Sequence, residues 1–252
     1  MNENANRPTV EELMATAESK KLDVEGVKAA FEHHSAPGFA DQTVRWLPES
    51  EYVHELLLST MESVVGKGGR VLDLGSGTGR LTRLVLDRFP TCSVVAADYS
   101  QTMRNAATPE LSQYGDRVSQ IELDMFSSDW TTDFDQFEAV VSAFAIHHGR
   151  NLAQYKSLYR RIHGVLKPNG LFINLDHVAG QDRTQTLANA SEWRDFLDED
   201  GEIDSDRFIL GSYTEDTPIS LRDHGQLLEA VGFDQIEIRW QKMIFALYSG
   251  RA

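Results

Sequence analysis

The segment Val71-Leu72-Asp73-Leu74-Gly75-Ser76-Gly77-Thr78-Gly79-Arg80 carries the densest chemical information in the chain. An apolar run leads into alternating glycines, and a helical pattern follows from Arg80. Glycine at 75 and 77 lets the backbone turn tightly and lets a ligand lie against it with no Cβ in the way. The helix beyond Gly79 points free N–H groups at the same place. The spacing is Gly-x-Gly-x-Gly and no Gly-Lys-Ser/Thr follows, which argues against a nucleoside triphosphate. Asp98 closes the next apolar run, nineteen residues after Gly79. A carboxylate there reaches a ribose through two charge-assisted hydrogen bonds.

A second constellation is His147-His148, just after the apolar run that ends at Phe144, with Asp176-His177 just after Leu171 to Leu175. Imidazole titrates near neutrality, and ligands of open α/β sheets bind outside the carboxyl ends of the strands. Three readings stay open. His147 or His148 is a general base or acceptor-orienting group backed by Asp176; or the histidines only brace the neighbouring loop; or His147, His148, Asp176 and His177 hold a divalent metal. A resident metal is not expected, and unchanged turnover with chelator would remove the third reading.

These residues need elements to hold them. Residues 1–69 read as a helical N-terminal extension, with helices over Val10 to Lys20, Val24 to His34 and Glu51 to Val65. From Arg70 short apolar runs alternate with helical stretches. The runs are Val71 to Leu74, Val94 to Ala97, Val118 to Leu123, Ala139 to Phe144 and Leu171 to Leu175. Helices over Arg80 to Phe89, after Ser100 and over Leu152 to Val165 separate them, which marks βαβ units and a parallel sheet covered on both faces. Lys167-Pro168-Asn169-Gly170 stops the helix from 152. Helices follow over Asp182 to Leu197 and Ile219 to Val231. Gln235 to Trp240 and Met243 to Tyr248, flanking Gln241-Lys242, predict an antiparallel hairpin at the sheet edge. The expectation is one α/β domain over 70–252, with seven strands and an insert at about 180–215.

Composition bounds the partners. The 252 residues carry 24 basic and 39 acidic side chains, a net charge of −15, with 41% hydrophobic residues. That is a globular chain whose field repels nucleic acid and anionic membrane, so a small molecule is the default partner. The single cysteine, Cys92, excludes a disulfide framework and suits a reducing cytoplasm. No signal peptide is evident in the polar start of the chain. Both monomer and homodimer remain open.

Taken together, these residues resemble the class I S-adenosylmethionine-dependent methyltransferases. Asp73 to Gly79 is similar to that family's first motif, and Asp98-Tyr99-Ser100 to its acid at the end of strand two. Leu123-Asp124-Met125 is similar to its adenine-side motif, and Leu166 to Gly170 to the turn before strand five. The resemblance covers roughly 70–250 and implies a Rossmann-like, doubly wound, mostly parallel sheet ending in the hairpin. It implies S-adenosyl-L-methionine as cofactor and S-adenosyl-L-homocysteine as product. Gly75 and Gly77 would pack on the methionine part, within a loop that includes Ser76, Thr78 and Gly79, and Asp73 would help hold the amino group. Asp98 would bind the ribose, Tyr99 and Met103 would lie near the adenine, Asp124 would accept from its amino group, and Met125 would pack on the ring. Core filling is the alternative for either methionine. Ala143 and Phe144, at the strand-four exit, join the cofactor set, with His147, His148 and Asp176 as the catalytic set.

The expected activity is methyl transfer to an O or N acceptor on a small molecule. A transfer RNA methyltransferase and a non-catalytic cofactor-binding protein are the alternatives; the absence of a basic stripe weakens the first. Residues 192–207 hold eight acids and two bases. A solvated loop face is the ordinary reading of such a run, and a funnel for a cationic acceptor is the functional one. A neutral or cationic acceptor is therefore favoured. Trp193, Phe196 and Phe208 would form one pocket wall, and Phe39, Trp46 and Tyr52 the opposite one. Trp240 and Phe245 would line the pocket or face the core, and His33-His34 reads as surface.

Overall fold

The computed structural model describes residues 7–33, 45–66, 68–127 and 130–252. Phe39 and His34 lie outside the described residues, as does the side chain of His33, so those expectations stop there. The chain begins with α1 (Val10–Ser19), α2 (Val24–His33) and α3 (Ser50–Val65). Then come β1 (Arg70–Leu74), α4 (Arg80–Arg88), β2 (Ser93–Asp98), α5 (Gln101–Leu111) and β3 (Val118–Glu122). β4 (Phe137–Ala143), α6 (Leu152–Val165) and β5 (Leu166–His177) complete the parallel part. Finally α7 (Arg183–Asp200), α8 (Ser205–Glu215) and α9 (Leu221–Glu229) lead to β6 (Asp234–Lys242) and β7 (Phe245–Arg251).

The seven strands form one sheet in the order β3-β2-β1-β4-β5-β7-β6. β1 to β5 are parallel, while β7 runs antiparallel between β5 and β6. The order reverses between β1 and β4, so a crevice opens at their carboxyl ends. Alternate residues of each strand feed opposite cores. Val71, Val141, Ile173 and Leu247 pack with α1, α3, α4, α7 and α8. Leu72, Val140, Phe172 and Ala246 pack with α6 and α9. Burial on both faces is why these strands are nearly continuous apolar runs.

Polar caps set the helix starts. Thr9 and Glu12 form a capping box on α1, and Ser100, Asn151, Asp182, Asp204 and Ser220 cap α5 to α9. α3 and α4 differ, starting after Glu49 and Gly79 in the left-handed region with no side-chain cap.

Four details differ from the sequence reading. The hairpin turns at Met243-Ile244, not Gln241-Lys242, because Lys242 still pairs with Phe245 and Ile244 is buried. β5 starts at Leu166, so Lys167 to Gly170 is a distorted strand entry; Asn169 is left-handed there and its N–H donates to Ala252 O at 2.7 Å. The last helix starts at Leu221, held by the Ser220 cap, two residues later than Ile219. The acidic run is helix for most of its length, spanning the end of α7, a turn at Gly201 and the start of α8. Its acids also have partners. Arg7 pairs with Asp198 and Asp206, Arg45 with Asp200 and Glu202, and Arg194 with Asp206.

Candidate active site

The loop between β1 and α4 is built on backbone that few side chains allow. Gly75, Gly77 and Gly79 all have positive φ. A Cβ on Gly75 would stand 2.3 Å from Ala145 Cβ, so the loop packs directly on the chain leaving β4. At Gly77 a Cβ would meet nothing within 4 Å, so there the glycine leaves open space and answers only to its φ of 52°. Gly75 and Ser76 N–H both donate to Ala97 O, at 2.8 and 3.0 Å.

Two carboxylates brace this loop. Asp98 accepts from Gly77 N–H at 2.7 Å and from Ser100 N–H at 2.9 Å, and burial raises its pKa. Each oxygen keeps a lone pair for a further donor such as a ribose hydroxyl. Asp73 is fully buried and accepts from Thr82 Oγ1 at 2.5 Å, while its Oδ1 has no hydrogen-bond partner among the described residues. Burial, opposed by Thr82, pushes its carboxyl up to about 7.

Of the expected cofactor residues, Asp73, Gly75, Ser76, Gly77, Thr78, Asp98, Tyr99, Met103, Asp124, Met125, Ala143 and Phe144 all line one cavity. Gly79 does not; it sets the turn into α4 and packs near Leu111. Met125 serves cavity and core at once. The sequence reading missed Lys28, His54 and Arg150 on the same walls. Lys28 Nζ lies 2.9 Å from Asp124 Oδ2, so an adenine amino group would share that oxygen with an ammonium. A lone lysine on an amphipathic helix gives no sequence signal to separate it from surface.

A second cavity of about 890 Å³ lies beyond Phe144 and His148, which line both spaces. Its apolar wall is aromatic. The Trp46 ring sits 5.0 Å from Phe144, 5.9 Å from Phe208 and 6.0 Å from Phe245, and Trp193 Nε1 donates to Trp46 O at 2.9 Å. Phe144 holds a positive φ of 55° at the β4 exit, fixed by its N–H donating to Leu175 O at 2.9 Å. Trp46, Trp193, Phe208 and Phe245 thus meet at the wall, whereas Tyr52 is exposed and Phe196 packs on the core instead. Trp240 turns to Glu49, donating from Nε1 at 2.9 Å.

His147 and His148 sit on a short 3-10 turn (Ile146–His148) at the edge of this cavity. His147 Nδ1 lies 2.5 Å from Asp176 Oδ1, and its Nε2 lies 3.2 Å from Asp216 Oδ1. Asp216 also stands 3.4 Å from His148 Nδ1 and 3.1 Å from His177 Nδ1. Burial opposes a charge on His147, but Asp216 and Asp176 outweigh it and hold the imidazolium up to about 10. Burial and the neighbouring His147 charge push His148 down to about 3, so it is neutral at physiological pH. The two expected bases are therefore unequal: His147 is a clamped cation and His148 a neutral imidazole facing both cavities. Asp176 stands behind His147 and does not line either cavity.

Asp216 is the main residue that the sequence reading missed. It ends α8 in a Tyr-Thr-Glu-Asp-Thr-Pro stretch that reads as an ordinary helix terminus. Only the fold brings it to the histidines: Thr217 N–H donates to His147 O at 3.0 Å, and Arg150 donates to Glu215 O and Thr217 Oγ1, both at 2.8 Å. Asp176 is anchored in turn by Asn174 Nδ2 at 3.0 Å, and Asn174 reaches Tyr248 Oη at 2.8 Å. Tyr248 lies 3.2 Å from His224, which burial pushes down to about 4.

Residues 71–170, from the glycine loop to the start of β5, match the family model described as a methyltransferase domain. A demethylmenaquinone methyltransferase of Thermus thermophilus is 32% identical over 107 residues, which cover 42% of this chain and 46% of that protein. The alignment thus spans about half the length of that relative. A carboxy-S-adenosyl-L-methionine synthase of Nautilia profundicola is 22% identical over 216 residues, covering 83% of this chain and 89% of that protein. Among solved structures, an O-methyltransferase family protein from Burkholderia thailandensis aligns with a TM-score of 0.67 at 17% identity, over 94% of this chain and 66% of that one. At such identity the likeness shows the fold alone. Residues 71–170 are thus similar to a methyltransferase domain, and the loop, the acid at the end of β2 and the sheet order agree with that likeness.

Proposed function

We propose that this protein is an enzyme that transfers the methyl group of S-adenosylmethionine to an oxygen or nitrogen atom of a small molecule. The observation that carries this reading is the shared wall of the two cavities at Phe144 and His148. The glycine loop would hold the cofactor, with Asp98 accepting from its ribose, and the acceptor would enter from the aromatic side. Displacement at a sulfonium has a good leaving group, so alignment of acceptor and methyl carbon supplies most of the acceleration. His148, neutral and held 3.4 Å from Asp216, hydrogen-bonds and orients the attacking atom, whose proton passes to solvent. His147 and Asp176 are positioning residues that fix the turn on which His148 rides.

The aromatic wall favours an acceptor with a flat apolar part. Outside the Arg45 pairs, Asp204 and Glu215 line the cavity together with Lys20 and Arg207, a balance that favours a neutral acceptor. None of the described helices is long and apolar enough to cross a membrane. The free, buried Cys92 supports a cytoplasmic setting.

The test is transfer of tritiated methyl from the cofactor into a cell extract, with and without its low-molecular-weight fraction. Label in a small product supports the proposal. Label in RNA would make the protein a transfer RNA methyltransferase, and no label with intact cofactor binding would leave only a binding protein.

A further inference from the structure

The geometry points to a divalent transition-metal site formed by His147, His148 and Asp216, with a coordination position open to the acceptor cavity. One imidazole nitrogen from each histidine and a carboxylate oxygen of Asp216 lie within 4.8 Å of one another. His147 Nε2 and His148 Nδ1 stand 3.2 and 3.4 Å from the same Asp216 oxygen. Ligands bound tetrahedrally at about 2.0–2.1 Å are about 3.3 Å apart, so these two distances are edges of such a site.

The surroundings are those of an oriented ligand set. His147 Nδ1 is committed to Asp176, which leaves Nε2 for the inner side, the arrangement by which a carboxylate fixes the tautomer of a metal-binding histidine. Asp176 is itself held by the backbone N–H groups of His147 and His177, at 3.1 and 2.9 Å. The other oxygen of Asp216 faces His177 Nδ1 at 3.1 Å, so that carboxylate is oriented as well. The Thr217 N–H bond to His147 O ties the two ligand segments together.

Two further observations point to a ligand. All three donors line the cavity of about 890 Å³, so the remaining coordination position opens into it. His177, 3% exposed, lines the same cavity, and its Nε2 has no hydrogen-bond partner among the described residues. Two imidazoles and one carboxylate suit zinc, iron(II), cobalt(II) or manganese(II); magnesium and calcium prefer all-oxygen sets. A metal here would bind an oxygen or nitrogen of the acceptor beside the Phe144 and His148 wall. That consequence rests on the function proposed above; metal binding itself does not.

The test uses the purified full chain, stripped with chelator and titrated with cobalt(II) chloride alone. One cobalt per chain is expected, with visible ligand-field bands of low-symmetry, four- or five-coordinate cobalt, displaced by zinc. His148→Ala should weaken binding at least about 10-fold, and Asp176→Asn by about 10- to 100-fold through the orienting bond. Thermal melting checks that each variant folds; if Asp176→Asn melts early, His148→Ala decides. No cobalt binding by the wild type, or binding of equal affinity in His148→Ala, overturns the proposal. Cobalt binding without methyl transfer to any acceptor would sink the proposed function and leave this site standing.

Discussion

Asp73 illustrates how one buried side chain can report on the cofactor. Its carboxyl titrates near 7 because burial disfavours its charge. A cofactor ammonium placed against it favours the ionised form, so binding below neutrality must expel a proton. Affinity for S-adenosylhomocysteine should therefore rise by up to about 10-fold per pH unit as pH climbs towards 7, then level off. Asp73→Asn should bind weakly with a flat profile; calorimetry across pH 5.5 to 8 reads both, and a sloping profile in the variant would remove Asp73 from the amino-group site. The stability sign is opposite. The folded-state pKa is raised, so the ligand-free protein loses stability as pH rises from about 4 to 7, where the unfolded chain has already released the proton. At His148, loss of an acceptor-orienting imidazole in His148→Ala should lower kcat on the order of 10²-fold with little change in cofactor affinity. A matching drop in both would mean that His148 mainly shapes the cofactor pocket.

At the scale of elements, the glycine loop and the α7–α8 pair behave differently. Gly77→Ala forces a left-handed non-glycine residue, which costs roughly 1–2 kcal/mol. It also puts a methyl group into the cavity that Gly77 lines. Cofactor affinity should fall by more than that strain explains, whereas Gly75→Ala should damage folding itself through Ala145. Thermal melts alongside cofactor titrations separate the two. For the acidic helices, the pairs with Arg7 and Arg45 change the expected effect of removing charge. Asp198→Asn should cost about 1 kcal/mol of stability, because its partner Arg7 is part-exposed. The Michaelis constant for a cationic acceptor should stay the same. A raised constant with an unchanged melt would restore the funnel.

For the whole molecule, the net charge of −15 argues against a polyphosphate partner. Long-range repulsion from polyphosphate falls with salt, so transfer RNA should be retained neither at low nor at physiological ionic strength. Gel shift at 50 and 150 mM salt checks this, and a complex that forms only at low salt would expose a local basic surface. The fold itself gathers the site. α1 lies in one apolar core with α7 and α8, and α7 and α8 carry the wall of the second cavity over the carboxyl ends of β4 and β5.

The sequence by itself determined the loop from Asp73 to Gly79, Asp98 at the end of β2 and the order of strands and helices apart from α8, which it read as a loop. Those features are local: glycine torsions, apolar periodicity and a strand-turn-helix spacing are written within about twenty residues. It also placed His147, His148 and Asp176 at neighbouring strand ends. Only the tertiary structure decided what those residues are. Asp216 reaches them from a helix end thirty-nine residues beyond His177; its charge, with that of Asp176, holds His147 as a cation, while burial and that cation keep His148 neutral. Arg7 finds Asp198 from 191 residues away, so a run that reads as solvated charge becomes a paired helix face. Partners this distant leave no periodicity in the sequence, and the protonation of a buried cluster depends on every charge that the fold packs against it.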